Sequence, residues 1–147
     1  MDKCLFRGKR EDNGQWVYGN HIFDDVTGKH YILPLGNKIV SGEGSCLYGV
    51  IAKTVGLCTG LYDKNNNPVY AGDIVKGITY SSECCGVIVW IGEIASFGVR
   101  YRNRTTPTAW EKASILKRMS EGYKDEFTAE VVGNVYDNPE LLEVENV

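Results

Sequence analysis

The side chains that could carry chemistry in this chain are few and widely spaced. His21 and His30 are its two histidines. They sit nine residues apart on what read as different segments, with no third donor at a metal-binding interval, so they read as surface or packed histidines. Cys4, Cys46, Cys58, Cys84 and Cys85 are odd in number and contain no C-x-x-C pair, which fits idle or buried thiols in a reducing compartment better than a disulfide framework or a metal site. A hydrolase would need a nucleophile, a base and an orienting group. The loose candidates are Cys84 or Cys85 with one of the histidines, or Asp63 with Asp73 as a carboxylate pair, and neither set has a telling spacing.

Two further patterns imitate ligand sites. Asp63, Asn65 and Asn67 fall at positions 1, 3 and 5 of a calcium loop, but Pro68 stands where the loop needs glycine and Ile74 where it needs a bidentate glutamate. A polar turn between two strands accounts for the same residues, because Asn and Asp side chains bond their own backbone. Gly42, Gly44 and Gly49 suggest a phosphate cradle, yet they match neither glycine-rich signature and no helix pattern follows. The expectation is therefore no catalytic residue, no metal and no cofactor.

Charge supplies one more candidate. Arg100, Arg102 and Arg104, with Lys112 and Trp110, could form a nucleic-acid-binding face that combines phosphate-seeking charge with a stacking ring. Alternation along a strand turns Tyr101 away from its arginine neighbours, and the chain as a whole carries a net charge of −3, which opposes a polyanion partner. Arg100 to Arg118 holds six basic residues against Glu111, whereas Glu121 to the end holds eight acids against Lys124. Such complementary blocks can neutralise each other within a molecule or between subunits.

The elements that must position these residues read as β. At 147 residues, with 43% hydrophobic and 24% charged residues, the chain has the size and composition of a folded domain, or of a domain with an appendage. No apolar run is long enough for a membrane helix and the first residues contain no signal-peptide core, so the expectation is a cytoplasmic protein without a membrane partner. Cys4 to Arg7 and Gln15 to Tyr18, the latter ending at Gly19-Asn20, flank the turn Asp12-Asn13-Gly14 and predict a hairpin, with Phe6, Trp16 and Tyr18 as an aromatic cluster. His30 to Leu33 predicts another strand. The organising stretch is Thr54 to Val75: an apolar run, the Asn-rich turn, Val69-Tyr70, and then Gly72-Asp73-Ile74-Val75.

Downstream, Asp73 to Ile78, Val87 to Ile91, Ser96 to Arg102 and Ala129 to Tyr136 predict strands, the apolar run Val87 to Ile91 being short enough for a buried one, with Gly92 to Ala95 as a turn. Residues 108–119 fit a helix or a short strand, and Asp137 to Leu142 reads as a helix entry with Pro139 in the first turn. Short strands in this number suit a small closed or half-closed barrel. The predicted organisation is an N-terminal β-rich region over 1–53 and a barrel region with one or two short C-terminal helices over 54–147, or one continuous unit.

Three blocks carry a family resemblance. They are Phe6-Arg7-Gly8-Lys9 with Trp16-Val17-Tyr18-Gly19; Thr54-Val55-Gly56, Thr59-Gly60-Leu61, Asp63-Lys64-Asn65 and Val69 to Val75; and Val132 to Leu142. Through them the chain resembles the YopX family of bacteriophage and prophage proteins over nearly its whole length. Asn67-Pro68, Ala71 and Cys58 depart from the usual pattern, and the family has no established activity whose residues could be carried over. The resemblance implies a phage origin, a mainly β fold with an SH3-like barrel in the C-terminal part, and self-association. The expected function is a non-catalytic, homo-oligomeric binding or regulatory module, with a host or phage protein as a further partner. Nucleic-acid binding through the arginine face is the alternative, and a small hydrolase is a distant third.

Overall fold

The computed structural model describes residues 5–36, 46–76, 85–101 and 129–143. Its strands are β1 (Phe6–Lys9), β2 (Trp16–Asp24), β3 (Lys29–Pro34), β4 (Tyr48–Val50), β5 (Gly56–Tyr62), β6 (Pro68–Tyr70), β7 (Asp73–Lys76), β8 (Cys85–Ile91), β9 (Ser96–Tyr101) and β10 (Glu130–Asn134). Three short 3-10 turns accompany them, at Ala52–Thr54, Gly92–Ile94 and Pro139–Leu142. The strands form two antiparallel sheets, ordered β4-β3-β2-β1-β5-β6 and β10-β7-β8-β9. The fold is mainly β, and no α-helix occurs among the described residues. The helix expected after Asp137 is the single 3-10 turn with Pro139 at its start, and the ambiguous segment 108–119 lies outside the described residues.

The chain divides into two compact units between Cys58 and Thr59, and β5 runs through that division. In the first unit, the turn after β1 closes as the sequence predicts: Arg10 N–H donates to Gln15 O at 2.9 Å, Gln15 N–H to the Asn13 side chain at 2.9 Å, and Gly14 adopts a φ of 70°. The second strand does not stop at Gly19-Asn20. It continues to Asp24, and the true turn is Asp24 to Gly28, where the Asp24 carboxylate accepts the Thr27 hydroxyl at 2.6 Å and the Val26 N–H at 3.0 Å.

Strand register sorts this sheet into two faces. Phe6, Gly8, Val17, Gly19, His21, Phe23, His30, Ile32, Tyr48 and Val50 share one, because they pair across β1 to β4 at alternate positions. Val17, Ile32 and Val50 are its buried core, flanked by Phe6, Tyr48 and Val55. The sheet curls, so that β4 meets the chain beyond β1: Ile51 N–H donates to Lys9 O at 2.8 Å and Glu11 N–H to Gly49 O at 3.0 Å, around an Arg10–Val50 bridge. The buried Thr54 hydroxyl secures the same corner, accepting from Lys9 N–H at 2.9 Å and donating to Ile51 O at 2.6 Å. Thr54→Val should therefore lower stability by about 2 kcal/mol, since it leaves a buried N–H unmatched. Thr54→Ser should recover most of the loss in urea denaturation.

In the second unit, Val69, Val75, Ile88, Val99 and Ala129 form the core, with Leu61, Phe97 and Val131 against it. The register places Ile88 opposite Val99 and Val131 opposite Val75, which gathers alternate residues of four strands on one face. β7 is buried on both faces, Asp73, Ile74 and Val75 all being inaccessible, as suits a central strand. A bulge between Val131 and Gly133 shifts β10 relative to β7. The predicted barrel needs correction at this level, because the described strands of this sheet run in open order and close no barrel.

Candidate functional site

The arginine face expected from sequence is represented by Arg100 alone, since Arg102, Arg104, Trp110 and Lys112 lie outside the described residues. Arg100 is exposed on β9 opposite Val87, while its neighbour Val99 is fully buried on the other face. Alternation thus separates the arginine from the core as the sequence predicts. At the far end of the same hairpin, Trp90 pairs with Phe97, their ring centroids 5.1 Å apart in an edge-to-face arrangement, and Trp90 remains 55% exposed. The sequence placed Trp90 in a buried strand. Its position just before the Gly92 turn was the available signal, because a strand end projects past the core that its middle residues fill.

The Asn-rich turn is occupied by its own backbone. Asp63 Oδ1 accepts the N–H groups of Asn65 at 2.9 Å and Asn67 at 2.8 Å, and Oδ2 accepts Val131 N–H at 3.0 Å. Burial raises the pKa of this carboxyl, but the bonds from Val131, Asn67 and Asn65 outweigh it and hold the group below the usual carboxylate range. Asp63 is therefore an anchor between the turn and β10 rather than a cation ligand. Asp73, its suggested carboxylate partner, serves another turn by accepting Tyr70 N–H at 2.8 Å. Glu130 beside the anchor receives Lys64 Nζ at 3.1 Å. Cys85 opens β8, and Cys84 lies outside the described residues.

The structure brings together what the sequence kept apart, the two histidines. β2 and β3 pair so that Phe23 faces His30 and His21 faces Ile32, which sets the two imidazoles on a diagonal of the same sheet face. His21 Nε2 and His30 Nδ1 lie 2.8 Å apart. Their ring planes are within 10° of parallel and the centroids 5.1 Å apart. That separation is the N···N distance plus the two ring radii, so the rings meet edge to edge, lone pair against N–H. Phe6 adjoins His21 at 5.2 Å between centroids and Phe23 adjoins His30 at 4.8 Å. No cluster of three or more metal-ligating side chains occurs among the described residues. What this arrangement can do is hold and release a proton.

Comparison with known proteins adds the following. The family model described as YopX protein matches residues 5–143. No curated protein matches the chain. Among solved structures, the crystal structure of protein EF1440 from Enterococcus faecalis is similar over 96% of this chain and 99% of that one, with a TM-score of 0.52 at 17% identity. At that identity the likeness concerns the fold.

Proposed function

The chain belongs to the YopX family, and from that premise we propose that it works as a self-associating protein-binding module in the cytoplasm of a phage-bearing host cell. The observation that carries this reading is Trp90, more than half exposed yet held edge-on by Phe97 on a paired strand. A large ring already fixed in orientation loses little conformational entropy on binding, which is why tryptophan dominates the energetics of protein interfaces. The sequence also carries opposed charge blocks, Arg100 to Arg118 and Glu121 to the terminus, and opposite charge is what favours pairing between copies of one chain.

Sedimentation across a range of concentration and salt tests the proposal. The expected result is a multimer whose assembly weakens by tenfold or more on Trp90→Ala, the loss of about 1.4 kcal/mol or more that characterises a central interface aromatic. A protein that stays monomeric at high concentration would remove the self-association. Salt-sensitive binding of an oligonucleotide, lost on Arg100→Glu, would instead favour nucleic acid as the partner.

A further inference from the structure

The histidine pair does something that neither the fold nor self-association requires. We propose that His21 and His30 form an acid-sensitive clasp on the β2–β3 hairpin, closed while one nitrogen of the facing pair keeps its lone pair and opened when both rings are protonated.

Proton bookkeeping across the 2.8 Å contact leads to this. In the neutral pair, one facing nitrogen carries the hydrogen and the other accepts it. A first added proton settles on an outward nitrogen, so the N–H···N bond survives and becomes charge-assisted. A second added proton must occupy the remaining facing nitrogen. Two N–H groups then point at each other across a hydrogen-bond distance, and the rings must part. The bond joins adjacent strands, so its loss acts on the hairpin directly.

Both rings are half-buried, and the protein around them supplies no counter-charge to a doubly protonated pair. From β1 the neighbour is the ring of Phe6, and from β2 and β3 the neighbours are Phe23 and Ile32. β4 contributes Val50 opposite His30 and the Tyr48 phenol opposite Ile32. The charged residues of these strands, Arg7, Lys9, Asp24 and Lys29, alternate onto the opposite face. Asp24 is also bound within its own turn. Arg10 lies over the Tyr48 ring and pairs with Asp12 at 2.5 Å. No carboxylate of β1 to β4 is thus placed to balance a second positive charge.

Burial first, and then the charge of His30, depress the pKa of His21. The sign follows from linkage. A histidine whose folded pKa lies below its unfolded value leaves the folded state binding fewer protons than the unfolded one. Its contribution is intact above the unfolded pKa of about 6.5 and is lost as pH falls below it. Acid therefore opens the clasp.

Nuclear magnetic resonance titration of the full chain from pH 8 to 4.5 tests this without any substitution. The expected result is two separated macroscopic steps for the imidazole signals, with the amides of Ile22, Tyr31 and Ile32 shifting at the lower step. In urea, the folded-to-unfolded ratio of the first unit should fall roughly tenfold for each unit by which that step lies beneath a free imidazole. His30→Gln, which keeps a hydrogen-bonding side chain of similar reach, should reduce the dependence between pH 7 and 5 to the part that burial of His21 alone supplies. Two independent titrations at ordinary imidazole values, or an unchanged pH dependence in His30→Gln, would overturn the clasp. The titration also separates this proposal from self-association, because it reads the hairpin residue by residue.

Discussion

Replacing Gly19 by alanine is expected to cost the first unit about 3 kcal/mol, the upper range for overpacking, because the obstruction is backbone rather than a side chain. A Cβ on Gly19 would fall onto the carbonyl oxygen of Leu33 and within 2.8 Å of Pro34 Cα. Neither atom can rotate away. Gly19 pairs with both Phe6 and Pro34, so any movement of β2 disturbs the ladder on each side. Gly8 supplies the internal control, since a Cβ there meets Val50 Cβ at 3.0 Å. Val50 can shift by a few tenths of an ångström, and Gly8→Ala should cost nearer 1 kcal/mol. Urea midpoints read from first-unit amide signals would rank the two. Equal effects would mean that β2 and β3 can separate at Gly19 without penalty.

The largest expected effect in the second unit belongs to Asp63. Asp63→Ala removes the acceptor of three backbone N–H groups, from Asn65, Asn67 and Val131. The last of these bonds spans 68 residues of sequence and ties the turn to β10. At about 1 kcal/mol per bond the loss should be about 3 kcal/mol. Asp63→Asn should fall between the two, because its amide oxygen can replace one carboxylate oxygen while its NH2 opposes the donor that met the other. The substitution also carries a pH signature. The carboxyl is depressed in the folded state, so its stabilisation is present above the unfolded pKa of about 3.9 and is lost as pH falls through the folded value. The gap between wild type and Asp63→Ala should therefore be full at pH 6 and shrink in strong acid. A gap that stays constant would show that the carboxylate charge contributes nothing to the anchor.

These two residues also show what was legible in advance. Asp63 was visible as a turn residue, because Asx bonding reaches only two to four residues along the chain and leaves its mark in local composition. Its bond to Val131 was not visible, since nothing near Asp63 specifies which distant strand lies alongside. Gly19 reads in the sequence as a strand end. Followed by Asn20, it has the composition of a turn, and only the strand crossing it shows that the missing Cβ makes room for a backbone. Trp90 belongs to an apolar run that reads as buried, for a related reason: hydrophobicity reports what a side chain favours, whereas exposure depends on where the core ends.

By itself, the sequence determined the β character, the Asp12-Asn13-Gly14 turn, the strands around Val69, Ile74, Ile88, Val99 and Val131, and membership of the family through its three blocks. All of these follow from turn chemistry, from alternation at period two, or from motifs within a few residues. Tertiary structure alone decided the pairing of His21 with His30, the approach of Leu33 to Gly19, the reach of Asp63 to β10 and the exposure of Trp90. Each of these depends on strand register and sheet curl. A slip of one residue would send every side chain to the opposite face while leaving the local pattern of the sequence unchanged.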